Sequence, residues 1–137
     1  MPFRAAAALA AAVVLLAAPA AAQDGIRTER VKFAAGASSA TIKGKLHGSE
    51  TVDYILGARR GQHMTVKLAA RNRSMYFNVL VPGGDSALFV GSTSGDAFEG
   101  TLPADGDYVV RAYLMRNAAR RGESSDYTLD FRIAASE

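Results

Sequence analysis

Tyr127-Thr128-Leu129-Asp130-Phe131-Arg132-Ile133 alternates without a break. Its apolar residues at 127, 129, 131 and 133 face one way, and Thr128, Asp130 and Arg132 face the other. A period of two over that length is a β-strand with one side in a core. Working back along the chain, Tyr108, Val110, Ala112 and Leu114 repeat the pattern, with Arg111 on the opposite side. Met64, Val66 and Leu68 do so against Thr65 and Lys67. Met75, Phe77, Val79 and Val81 form a fourth strand, whose other face carries Tyr76, Asn78 and Leu80. Apolar groups on both of its faces predict an interior position. Residues 42–47 and 52–58 are further strand candidates, and 87–90 and 97–101 are short ones.

The breaks carry turn chemistry. Gly57-Ala58-Arg59-Arg60-Gly61 closes one strand before Gln62 opens the next, and Pro82-Gly83-Gly84-Asp85 joins a fixed φ to two residues free to take positive φ. Gly91-Ser92-Thr93-Ser94-Gly95-Asp96 reads as a small polar loop, and Pro103-Ala104-Asp105-Gly106-Asp107 as a tight turn. The one stretch that competes as helix lies at 114–122. Each alternating strand has one apolar face, and two sheets of such strands bury those faces against each other. The expectation is therefore an all-β protein: a two-sheet antiparallel β-sandwich of about seven or eight short strands. Residues 23–30 are expected to form a loose arm.

Ahead of this domain stands a different kind of sequence. Met1-Pro2-Phe3-Arg4 bears one positive charge, an apolar run follows with Val13-Val14-Leu15-Leu16 at its bulkiest, and Ala18-Pro19-Ala20-Ala21-Ala22 supplies small residues for a signal peptidase. Residues 1–22 are expected to be a secretory signal peptide, too short to span a membrane stably. Cleavage after Ala22 leaves residues 23–137 as one domain of about 115 residues, enough for one core. The expected location is the periplasm, or outside the cell. Cysteine is absent, so packing and backbone hydrogen bonds must hold the fold even where disulfides are permitted. Arg4 is the sole charged residue of the leader, so its removal takes one unit from a net charge of +3. So mild a basicity, without aromatics interleaved among basic patches, argues against nucleic acid as a partner. An acidic protein or the anionic envelope is the better electrostatic match.

Catalytic constellations are hard to find. His47 and His63 are the only histidines, and nothing in the spacing supplies further metal ligands. There is no Gly-x-Ser-x-Gly elbow for a nucleophile. Glu50 and Asp53 make a carboxylate pair on paper, but a polar turn before a strand would leave both solvated. Gly83-Gly84 lacks the lysine of a phosphate loop. The expectation is a protein that is not an enzyme and needs no metal or cofactor.

What interrupts the regular pattern is Arg116-Asn117-Ala118-Ala119-Arg120-Arg121-Gly122, set between two well-formed strands. In a helical turn Arg116 and Arg120 share a face. Arginine's rigid five-donor fork suits a carboxylate-lined cleft. Asn117 is placed to brace the segment by bonding its backbone.

Two segments resemble the periplasmic inhibitors of goose-type lysozyme found in Gram-negative bacteria. One runs from Phe33 through Gly36, Ser38, Ser39 and Ala40 to Gly44, Gly48, Tyr54, Ala58, Gly61 and Gln62. The other is Arg116-Asn117-x-Ala119-Arg120 with Tyr127 and the last strand. Leu102-Pro103-x-x-Gly106-x-Tyr108 also fits, although this piece and Gly61-Gln62 resemble the bacterial pre-peptidase C-terminal β-sandwich domains as well. The resemblance implies a small β-sandwich that plugs a lysozyme's substrate cleft. It implies partner-binding roles for Arg116, Asn117, Arg120 and Arg121, and for a second segment at Ile42, Lys43 and Gly44. In that segment Ile42 and Lys43 stand where the family pattern has tyrosine and serine. That departure leaves open a second function: a non-catalytic accessory module that binds envelope glycan or another exported protein, with Tyr54, Tyr76 and Tyr113 as possible sugar platforms.

Overall fold

The computed structural model describes residues 26–33, 38–84 and 86–135. The expected leader at 1–22 lies outside the described residues. Among the described residues nine strands form two sheets. They are β1 (Ile26–Arg30), β2 (Ser39–His47), β3 (Thr51–Ala58), β4 (His63–Ala70), β5 (Met75–Leu80), β6 (Ala87–Val90), β7 (Ala97–Thr101), β8 (Gly106–Leu114) and β9 (Ser124–Ala134). One sheet has the order β1-β3-β8-β5-β6 and the other β2-β9-β4-β7. Among the described residues two short helices interrupt the strands, α1 (Gly91–Ser94) and α2 (Arg116–Arg120). The first is a single turn inside what the sequence presents as a polar loop.

The core is the set of inward positions that alternation picks out. Tyr127, Leu129, Phe131 and Ile133 of β9, with Met64, Val66 and Leu68 of β4, are buried from one sheet. Val52, Tyr54 and Leu56 of β3, with Tyr108, Val110, Ala112 and Leu114 of β8 and Met75, Phe77 and Val79 of β5, are buried from the other. Rings meet between the layers, Tyr54 lying 5.7 Å from Phe131 and Phe89 5.6 Å from Phe98 by centroids, while Phe89 stacks within its own sheet on Phe77 at 5.0 Å. β5 ends one residue short of Val81 and is paired along both edges, as its two apolar faces require, with β8 as the middle strand.

The loose arm expected at 23–30 is not what the described part of it does. Ile26–Arg30 is β1, hydrogen-bonded parallel to β3 from Ile26 opposite Thr51 to Arg30 opposite Ile55. The chain crosses to the other sheet as β2 before returning as β3, which gives the long connection that parallel pairing needs. Alternation missed this strand because Arg27-Thr28-Glu29-Arg30 has no apolar side to show. Backbone pairing with β3 holds it, and exposed ion pairs decorate it: Arg27 Nε meets Glu29 Oε2 at 3.0 Å within the strand, and Arg30 Nη2 meets Asp107 Oδ2 at 2.8 Å. Beyond it the Val31 N–H donates to Ile55 O at 2.9 Å, and Val31 enters the core.

Turns at 59–62 and 102–105 close one end of the sandwich. The Tyr108 hydroxyl donates to Ala104 O at 2.6 Å and accepts from the Ala104 N–H at 3.1 Å, fixing the Leu-Pro-x-x-Gly-x-Tyr turn as a tyrosine corner does. Gly106 sits at φ 136° against Pro82, where a side chain would clash. These motifs of the resemblance therefore build the scaffold.

Candidate functional site: the arginine-bearing end

Three connections meet at the other end: 48–50 between β2 and β3, 71–74 between β4 and β5, and 115–123 between β8 and β9. α2 lies in the last of these. It is too short to be stable alone, and its neighbours hold it. Ala118 is fully buried beneath it, and Asn117 Oδ1 accepts from the Ala118 N–H at 2.8 Å. The helix ends in a Schellman arrangement. The Glu123 N–H donates to Ala118 O at 3.1 Å and the Gly122 N–H to Ala119 O at 2.9 Å, with Gly122 at φ 71°. The Gly48 N–H then donates to Glu123 O at 2.8 Å, tying the β2–β3 turn to the same segment.

Glu123 is the junction of this end. Its carboxylate accepts from Asn72 Nδ2 at 3.0 Å and pairs with Arg121 Nη2 at 2.7 Å. Those bonds, Asn72 first and Arg121 second, hold the carboxyl below the usual carboxylate range. Asn72 also donates to Ser124 O at 3.2 Å and accepts the Ser74 N–H at 2.8 Å. Arg116 and Arg120, one turn apart, are exposed, and among the described residues neither has a carboxylate partner. Their guanidinium forks are free to bind something else.

The residues named from sequence therefore divide. Arg116 and Arg120 point outward, Asn117 braces α2 as expected, and Arg121 is engaged by Glu123. Ile42, Lys43 and Gly44 are regular β2 residues opposite Leu129, Thr128 and Tyr127, not a loop. Lys43 is exposed, Ile42 packs on the core, and Gly44 faces the Tyr127 ring. The glycine that abuts α2 is Gly48, where a Cβ would sit 3.8 Å from Ala119 O. Sequence reasoning missed Asn72, although asparagine opening Asn72-Arg73-Ser74 is turn chemistry that marks the place.

An open hollow of about 770 Å³ adjoins α2, lined by Ser49, Asn78, Arg111, Tyr113, Met115 and Arg116 among others. In its wall Arg111 grips Asp53 through two bonds, Nε–Oδ1 at 2.8 Å and Nη2–Oδ2 at 2.9 Å, which raise the Arg111 pKa. Asp53 is thus a strand residue met by arginine, not the solvated turn carboxylate that spacing suggested. Tyr54 is buried, and Tyr76 and Tyr113 pack on each other with centroids 6.4 Å apart. His47 Nδ1 lies 2.7 Å from Ser124 Oγ and His63 Nε2 lies 3.0 Å from Glu99 Oε2. Among the described residues no three His, Cys, Asp or Glu side chains converge on a metal position.

Fold and site together define a small β-sandwich whose irregular end is braced from within and carries free arginines. No protein-family profile matches the chain. It is similar, at 40% identity and a TM-score of 0.71, to the crystal structure of the Aeromonas hydrophila periplasmic inhibitor of g-type lysozyme, over 79% of this chain and 96% of that one. The inhibitor of g-type lysozyme from Escherichia coli (strain K12) is 29% identical over 106 residues, 75% of this chain and 78% of that protein. The Salmonella Typhimurium periplasmic inhibitor of g-type lysozyme aligns at 25% identity and a TM-score of 0.61, over 77% of this chain and 96% of that one. The chain belongs to the family of periplasmic inhibitors of g-type lysozyme.

Proposed function

We propose that this protein is a periplasmic, non-catalytic inhibitor of g-type lysozyme that occludes the enzyme's cleft with α2. Its leader is removed after Ala22 on export. The observation that carries the reading is the pair Arg116 and Arg120, exposed on a braced helical turn and lacking a carboxylate of their own. A glycan-cleaving enzyme keeps carboxyl groups in a cleft wide enough for sugar chains. An inserted guanidinium bonds such a group bidentately, fills the space and excludes the glycan, with no chemistry required of the inhibitor. Asn117 borders the same interface.

Titration against purified goose-type lysozyme, with chicken-type and invertebrate-type enzymes alongside, tests this. The expected outcome is inhibition of the goose-type enzyme. Arg116→Ala and Arg120→Ala are each expected to cost at least ~2 kcal/mol of binding, roughly thirtyfold in affinity, with unchanged melting temperature. Part of that difference should persist at moderate salt, because a buried ion pair is screened less than an exposed one. Unchanged affinity in the double variant would remove α2 from the interface. A lack of inhibition by the unmodified protein would overturn the function.

A further inference from the structure

Arg71 and Arg73 play no part in the interface described so far. Both are exposed, and among the described residues neither has a carboxylate partner within ion-pair distance. Their backbone is nevertheless held firmly. The Arg71 N–H donates to Asp126 O at 3.1 Å, and the Asn72 N–H donates to Ser125 Oγ at 3.1 Å. The Asn72 side chain is turned into the β8–β9 connection, where it bonds Glu123 and Ser124. Its two neighbours are thereby left on the solvent side.

The position of these arginines joins two regions that otherwise stand apart. The Met115 N–H donates to Ser74 O at 2.9 Å, so Arg73 and Arg116 each lie one residue from a shared hydrogen bond. On the other side Arg71 lines an open hollow of about 730 Å³ together with Lys43, Gly44 and Lys45, with Asp126 as its carboxylate. The 71–74 connection thus lies between α2, which it meets beside Arg73, and the outer face of β2, whose Lys43 and Lys45 share a hollow with Arg71.

We propose that Arg71 and Arg73 are a second element for the lysozyme, rim charges that steer its carboxyl-bearing cleft toward α2. This inference rests on the function proposed above. Exposed charges at the rim of an interface act mainly on the association rate and its salt dependence, whereas desolvated pairs at the centre act on dissociation. A preformed backbone at 71–74 spares the cost of ordering the loop on binding. The two pairs of arginines should thus leave different kinetic signatures.

The test is surface-based kinetics of goose-type lysozyme binding to the full mature chain and to Arg71→Glu/Arg73→Glu, with thermal melts of both. The double variant should associate about tenfold more slowly at low salt, with the gap closing at high salt. Its dissociation rate should stay within about twofold of the original. Arg71→Lys/Arg73→Lys should retain most of the association rate, since steering needs charge more than fork geometry. An unchanged association rate in the glutamate variant, with inhibition by the original chain intact, overturns this inference alone. Absence of any binding by the original chain overturns it together with the proposed function.

Discussion

A methyl group on Gly44 would fall 2.5 Å from the Tyr127 hydroxyl oxygen. That hydroxyl lies 2.6 Å from the Tyr54 hydroxyl, a buried hydrogen bond between the two sheets. Burial, then the bond to Tyr127, pushes the Tyr54 phenol far above its ordinary value, so the pair stays neutral across physiological pH. Gly44→Ala is expected to cost about 1–3 kcal/mol in denaturant unfolding, because the ring has no slack. Tyr127→Phe removes the hydroxyl, although the ring carbon Cζ stays 2.6 Å from the methyl position, and it leaves Tyr54 without its partner, also at about 1–3 kcal/mol. In combination the loss should fall short of the sum by more than about 0.5 kcal/mol, and strict additivity would show that the two positions do not meet. Gly44 was legible as a residue that matters, but only the family resemblance marks it, and that assigns it to a binding segment. Only the register of β2 against β9 reveals the ring it admits. The same holds for Asp53 and Arg111, whose pairing follows from β3 lying against β8 and from nothing local.

At the scale of elements, the connection holding α2 depends on one carboxylate with two partners. The Glu123 pKa is lowered in the folded protein, so its contribution to stability is fully present above the ordinary carboxylate value. It is lost as pH falls through the lower, folded value. Melting temperature followed against pH should therefore separate Glu123→Gln from the original chain near neutrality, and the two curves should converge in acid. Parallel curves down to strongly acidic pH would mean that the clasp is not electrostatic. The sequence announced this element only in part. Arginines in a break between regular strands were visible, as was the glycine that ends the turn. The clasp was not, because Asn72 comes from a distant connection and reaches Glu123 only once both sheets have formed.

For the molecule as a whole, the inward faces of β4, β5, β8 and β9 could be read directly, since a half-buried strand writes its burial into every second residue. β1 could not, since a charged edge strand is recruited by backbone pairing that no side chain advertises. Deleting residues 23–30 should bare the edge of β3, lower the melting temperature and produce concentration-dependent self-association in light scattering. A monomer of unchanged melting temperature would show that β1 adds nothing. The sandwich also divides its labour by end: the Tyr108 corner and Gly106 lock one end, and α2 with Arg116 and Arg120 stands at the other. α2 closes its own backbone through Asn117, Gly122 and Glu123 and is rooted by the small buried side chain of Ala118. Arg116 and Arg120 consequently bear no duty toward the fold. On the proposed function, the turn is an exchangeable cassette: its outward letters can be rewritten to suit a different enzyme cleft while the frame beneath goes on folding as before.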